Sequence, residues 1–125
     1  AIAAARLGAD VIGIDLDLAA APAVQANAMA NGVRERVDVR IGDISDIGND
    51  ESFDVALLNV TIDIHESVAP AVQRLDAPVL IVAGILDGEQ AERAARLHGR
   101  SPTERLSEDG WVALVFDRGR GDAAT

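Results

Sequence analysis

The chain has 125 residues, enough for one domain or a piece of one, and 49% of them are apolar. Its net charge is −10, from 21 acidic residues against 11 basic ones, all arginine, which argues against the cationic face that nucleic-acid binding needs. No apolar run approaches the ~20 residues that span a bilayer, nothing reads as a charged-then-apolar leader, and the lack of cysteine excludes disulfides and thiolate metal sites. A cytoplasmic location is compatible with that pattern. The acidic surface either suits a basic partner or serves solubility alone. With only Phe53, Trp111 and Phe116 as aromatics, the core must be built from Ala, Val, Leu and Ile.

Residues 1–7 have a helical composition, and Gly8 stands where a C-terminal cap belongs. Residues 11–14 are a nearly all-apolar strand, the pattern of a parallel sheet covered on both faces. Asp17 can cap the next helix, which runs to about Asn31 and stops at Gly32. Pro22 removes a backbone donor, so that helix starts near Ala21 or bends. Residues 37–41 alternate with period two, the sign of an edge or half-exposed strand, and Gly42 and Asp43 follow directly.

Residues 49–52 form a polar turn, and 54–59 a further strand. Ile64, Val68, Val72 and Leu75 then recur at helical spacing, with Pro70 predicted to kink or divide the helix. After a turn at 76–78, residues 79–83 make the most hydrophobic strand. Asp87 with Gln90 resembles a capping pair, opening a helix that ends near Gly99. Residues 102–106 and 111–117, joined by Glu108-Asp109-Gly110, predict an antiparallel hairpin. The domain is expected over 1–118, with 119–125 a disordered tail. This alternation of strand and helix implies an α/β fold, a mostly parallel sheet with right-handed crossovers that the closing hairpin makes mixed.

Three polar residues end predicted strands. Asp15 follows the first, where a carboxylate on a rigid support can accept both hydroxyls of a ribose. Such an acid belongs ~20 residues beyond a glycine-rich loop. Only residues 1–10 precede this strand, so strand one and its loop are expected upstream of Ala1. The alternative for Asp15 is a helix cap, a job Asp17 does better. Asp43 lies just past the next strand, at the same sheet edge, and could accept a hydrogen bond from an adenine amino group; otherwise it is a common Gly-Asp turn residue. Asn59 ends the strand Val55-Ala56-Leu57-Leu58, where its carbonyl oxygen could hold a substrate nitrogen or cap the following helix.

The histidines carry weaker signals. His65 could line a substrate pocket, although a surface position is the simpler expectation. His98 ends a helix, where a partly cationic imidazole suits the dipole. Trp111 is either core or a wall of the site. No Ser-His-Asp set, metal-ligand spacing or paired-carboxylate pattern stands out, and no metal is expected.

Taken in order, these segments resemble the class I S-adenosylmethionine methyltransferases. More narrowly, they resemble the family that methylates ribosomal protein eleven of the bacterial large subunit. The resemblance rests on Ala1 to Ala9, Gly13-Ile14-Asp15-Leu16-Asp17, Asn27 to Gly32, Gly42-Asp43, Phe53-Asp54-Val55 through Asn59, Gly84-Ile85-Leu86 and Gly110-Trp111-Val112-Ala113-Leu114. It implies a Rossmann-like sheet and S-adenosylmethionine as cofactor, with Asp15 on the ribose, Asp43 near the adenine and Asn59 facing the substrate amine. The implied reaction is methyl transfer to lysine ε-amino and N-terminal amino groups of that ribosomal protein. Such chemistry asks the protein mainly to align nitrogen, methyl and sulfur, since the sulfonium is the electrophile.

Two stretches depart from the family pattern: Asp76-Ala77-Pro78 stands where Pro-Gly-Gly is expected, and Val60 to His65 is only loosely similar. The resemblance puts the absent first strand in the middle of the sheet and the glycine loop and a substrate-recognition domain upstream of Ala1. The 125 residues alone are therefore expected to bind cofactor poorly and to be marginally stable or to aggregate. Three alternatives remain: a methyltransferase of the same fold acting on a small molecule or another protein, a nicotinamide-binding Rossmann domain, and a non-catalytic remnant. The leading reading needs Asp15, Asp43 and Asn59 on one rim of a single sheet.

Overall fold

Strand and helix alternate as the sequence predicts, in the order α1 (Ile2–Arg6), β1 (Val11–Asp15), α2 (Ala20–Ala30), β2 (Val37–Ile41), β3 (Val55–Asn59), α3 (Ile62–Leu75), β4 (Val79–Leu86), α4 (Glu89–Ala95), β5 (Glu104–Glu108) and β6 (Trp111–Asp117). Short 3-10 turns at Arg34–Arg36 and Ile44–Asp46 flank β2. The structure is a computed structural model that describes residues 1–48, 50–75 and 77–119. It consists of two units, Ala1–Ile47 and the residues from Gly48 onward. The expected tail beyond Gly119, and the turn positions Asn49 and Asp76, lie outside the described residues.

In the first unit, β1 and β2 pair in parallel, from Val11 opposite Val37 to Asp15 opposite Ile41. A small cluster of Ala5, Ala28 and Val33, with Ile2, Val11 and Val37 packed on it, holds α1 and α2 to this ribbon. Val11 to Ile14 are half-buried rather than covered on both faces. Arg36 ties the approach to β1 by donating to the Gly8 carbonyl at 2.9 Å and to Asp10 at 3.3 Å. Asp17 acts one step earlier than expected. Its Oδ1 accepts the Ala19 N–H at 2.9 Å, in the turn before α2, and α2 itself has no side-chain cap. Pro22 falls in the first helical turn, where a missing N–H costs nothing, so α2 runs unbroken from Ala20.

The second unit is a four-stranded sheet in the order β3-β4-β6-β5. β3 and β4 are parallel, while β6 runs antiparallel to both β4 and β5. The hairpin closes through Asp109 and Gly110 at φ of 52° and 82°, the paired positive values of a two-residue turn matched to strand twist. Its core alternates along β6: Val112, Leu114 and Phe116 are buried opposite Ile85, Val82 and Leu80 of β4. Ala91 and Ala94 of α4 and Ile62, Ala69 and Val72 of α3 are buried with them.

Two helices differ from the sequence reading. The buried face of α3 is Ile62, His65, Ala69 and Val72, whereas Ile64 is largely exposed, so the stripe is rotated from the one hydropathy suggested. Pro70 sits on the exposed side of an unbroken helix, where the carbonyl it leaves unpaired can meet water. α4 is shorter than expected and ends at Ala95. Asp87 and Gln90 do not form a reciprocal pair: Gln90 accepts from the Leu86 N–H at 3.0 Å, and Asp87 accepts from Gly88 at 2.7 Å.

Among the described residues the strands thus form two hydrogen-bonded sheets rather than one. The resemblance implies a further strand in the middle of the sheet. The described residues contain no such strand, and β1 and β3 each have a strand partner on one edge only. No described helix is long and apolar enough to cross a membrane.

Candidate functional site

Asp15 and Asp43 come together in the first unit. Parallel pairing brings the carboxyl ends of β1 and β2 side by side, and the Gly42 N–H continues the ladder by donating to the Asp15 carbonyl at 2.9 Å. Both side chains are exposed at that end. Asp15 Oδ1 accepts the Asp17 N–H at 2.9 Å, which fixes the carboxylate and leaves acceptor capacity on its other oxygen. Asp43 also performs the local role open to it in the sequence. It opens a capping box: its side chain accepts the Asp46 N–H while Asp46 Oδ2 accepts the Asp43 N–H at 2.8 Å. Ser45 Oγ donates to Asp43 Oδ2 at 3.2 Å. Two fixed carboxylates on adjacent strand ends offer acceptors only, a set that fits the donating hydroxyls and amino group of a nucleoside.

Asn59 belongs to the second unit, at the carboxyl end of β3, opposite Ala83 of β4. Its side chain is exposed. Beyond Ala83, β4 does not stop, as the sequence suggested, but continues to Leu86 through a register shift against β6 between Val82 and Ile85. Gly84 occupies the shift at φ 78°, a conformation that favours glycine. A β-carbon there would lie 2.5 Å from the Val60 carbonyl oxygen and 2.9 Å from Asn59 Oδ1, so only glycine lets this backbone underlie the Asn59 carboxamide.

Neither histidine is where the sequence reading put it. His65 is wholly buried on α3 rather than on the surface, and its Nε2 lies 2.7 Å from the Ala83 carbonyl oxygen. His98 follows α4 by three residues instead of ending it. It is buried edge-on against Phe116, with ring centroids 5.5 Å apart. Burial, and then the neighbouring His65 and Arg100, hold its pKa down at about 4, so the imidazole is neutral rather than a helix-end cation. Trp111 is 54% exposed and therefore not core. A surface depression lined by Ala91, Glu92, Thr103, Arg105 and Leu114 contains none of the candidate side chains.

Parallel strands with polar groups at their carboxyl ends, and an antiparallel hairpin at the end of the chain, are the elements of a Rossmann-like α/β fold. Solved structures agree on the fold. The chain matches the ribosomal protein L11 methylase of Lactobacillus delbrueckii subsp. bulgaricus with a TM-score of 0.79 and 22% identity, over 91% of this chain and 61% of that one. It matches an RNA methyltransferase of Salinibacter ruber, solved in complex with S-adenosyl-L-homocysteine, with a TM-score of 0.73 and 21% identity, over 94% and 73%.

Sequence similarity is narrower. The profile of the ribosomal protein L11 methyltransferase (PrmA) family matches residues 1–119, and the chain belongs to that family. Ribosomal protein L11 methyltransferase of Desulfitobacterium hafniense is 33% identical over 118 residues, which cover 91% of this chain and 38% of the relative. That of Thermus thermophilus is 31% identical over 122 residues, covering 94% and 47%. The chain thus spans less than half the length of either relative.

Proposed function

We propose that these residues form part of an S-adenosylmethionine-dependent N-methyltransferase acting in the cytoplasm on ribosomal protein L11, at lysine ε-amino and N-terminal amino groups. The observation that carries this reading is the pair of carboxylates at adjacent strand ends, Asp15 and Asp43, joined through the 2.9 Å bond from Gly42 to the Asp15 carbonyl. Membership of the family supports it independently. The cofactor, when bound, supplies an electrophilic methyl group on a sulfonium sulfur.

The chain's own residues bind and orient. Asp15 accepts hydrogen bonds from the ribose hydroxyls, and Asp43 from the adenine amino group. The Asn59 carboxamide accepts from the substrate nitrogen without adding a charge that would hold the amine protonated. The net charge of −10 favours encounter with a cationic protein substrate. The full reading frame carrying these residues, incubated with S-adenosylmethionine and purified L11, should raise the mass of L11 by whole methyl groups located on amino nitrogens. Methylation of a small molecule or another protein, with L11 unmodified, would contradict the substrate assignment.

A further inference from the structure

Four short links close a ring around Asn59. Asn59 pairs with Ala83 across the parallel strands β3 and β4. The Ala83 carbonyl, at the start of the register shift, faces His65 Nε2 at 2.7 Å. The His65 backbone N–H donates to the Thr61 carbonyl at 3.0 Å, in the first turn of α3. From Thr61 the chain returns through Val60 to Asn59, and Gly84 lies directly beneath the Asn59 carboxamide.

A carbonyl oxygen only accepts, so the proton of the short contact is on His65 Nε2, and the imidazole is the donor. Burying a histidine for packing alone is a poor solution. Its Nδ1 has no partner among the described residues, and an aliphatic side chain would fill the same space without stranding a nitrogen. What the imidazole does, and an aliphatic side chain cannot, is hold one carbonyl in one direction. That carbonyl precedes the glycine on which the Asn59 amide rests.

We propose that His65 is a positioning residue for methyl transfer: its Nε2–H pins the Ala83–Gly84 bulge and thereby fixes the Asn59 carboxamide facing the methyl acceptor. The proposal rests on the reading of Asn59 as the substrate-facing amide. In-line transfer tolerates little misalignment, since a displacement of ~1 Å can cost ~100-fold in rate. Loss of the donor should therefore act on kcat and leave the cofactor KM unchanged, since neither His65 nor Asn59 is read as a cofactor contact.

The test uses the full reading frame, S-adenosylmethionine and L11, with His65→Leu, His65→Gln, His65→Asn, Asn59→Ala and the double variant Asn59→Ala/His65→Leu. A glutamine Nε2 can reach where the imidazole Nε2 stood, whereas an asparagine amide falls short. We expect His65→Leu and His65→Asn to lose ~10–100-fold in kcat with cofactor KM within ~2-fold, and His65→Gln to recover to within ~5-fold of the parent. The double variant should be no slower than Asn59→Ala alone, because both changes remove one function.

Parental kcat in Asn59→Ala would overturn both the Asn59 reading and this proposal. A slow Asn59→Ala beside a fast His65→Leu would overturn the proposal alone, and so would losses that multiply in the double variant. If His65→Leu fails to fold, the two amide variants decide: equal kcat in His65→Gln and His65→Asn would contradict the positioning role.

Discussion

The two units hold their candidate residues by different means. The first has Ala5, Ala28 and Val33 as its buried apolar residues among those described, while Leu7, Leu16, Leu18 and Met29 stand largely in solvent. Asp15 and Asp43 are fixed there by backbone ladders and local turns. The second unit buries Phe116, Leu80, Ile85, Leu114 and Val82 completely, and Asn59 ends β3 beside the β4 bulge, whose Ala83 carbonyl meets a buried histidine. A nucleoside can be recognised by hydrogen bonds to a thinly packed ribbon, since both carboxylates need only the right strand ends. On the proposed reading, Asn59 directs a methyl acceptor, a task that asks for rigidity, and the unit that carries it is the one with the closely packed core.

The contrast is easiest to break by removing core volume. Phe116→Ala should cost ~3–5 kcal/mol in urea unfolding followed by Trp111 fluorescence, because the neighbours can only partly collapse into the void. Met29→Ala, on the exposed side of the first unit, should stay within ~0.5 kcal/mol. Equal losses would erase the distinction between the units.

Acid should single out the second unit as well. The folded pKa of His98 lies at about 4, below its ordinary value of 6.5, so between the two the unfolded chain binds a proton that the folded one does not. The stabilisation from this group is intact above pH 6.5 and is lost as pH falls to 4, by ~3 kcal/mol in all. His98→Leu should flatten that part of the stability–pH curve. An unchanged slope would show that His98 titrates normally in the folded protein.

Smaller effects sharpen the picture. Asp43→Ala removes one half of the capping box and should cost ~1 kcal/mol of local stability, read as faster amide exchange at Ser45 and Asp46. The Arg93–Glu66 ion pair joins α4 to α3 at the surface, both side chains more than a third exposed. Arg93→Ala should therefore shift stability by less than ~1 kcal/mol, and a larger loss would mean the helices depend on that contact.

Much of this arrangement was legible in the sequence. The alternation of Val112, Leu114 and Phe116 and the Asp109-Gly110 turn point to the hairpin, and Asp15 and Asp43 reach neighbouring positions because parallel pairing aligns strand ends. The buried stripe of α3 was not legible, since it uses a small alanine and a histidine that hydropathy passes over in favour of Ile64. Nor was the continuation of β4, because Gly84 reads as an end where the folded chain needs a close approach. The burial of His65 and His98 depends on the Ala83 carbonyl and the Phe116 ring, contacts that exist only after the sheet has formed.

The nucleoside role of the β1 and β2 ends is tested most directly by calorimetric titration of S-adenosylhomocysteine into the full-length protein and its Asp15→Ala variant. Losing a charged acceptor for the ribose should weaken binding ~10–100-fold, the equivalent of hydrogen bonds worth ~1.5–3 kcal/mol to an ionised group. An Asp15→Ala protein that binds as tightly as its parent would contradict the assignment.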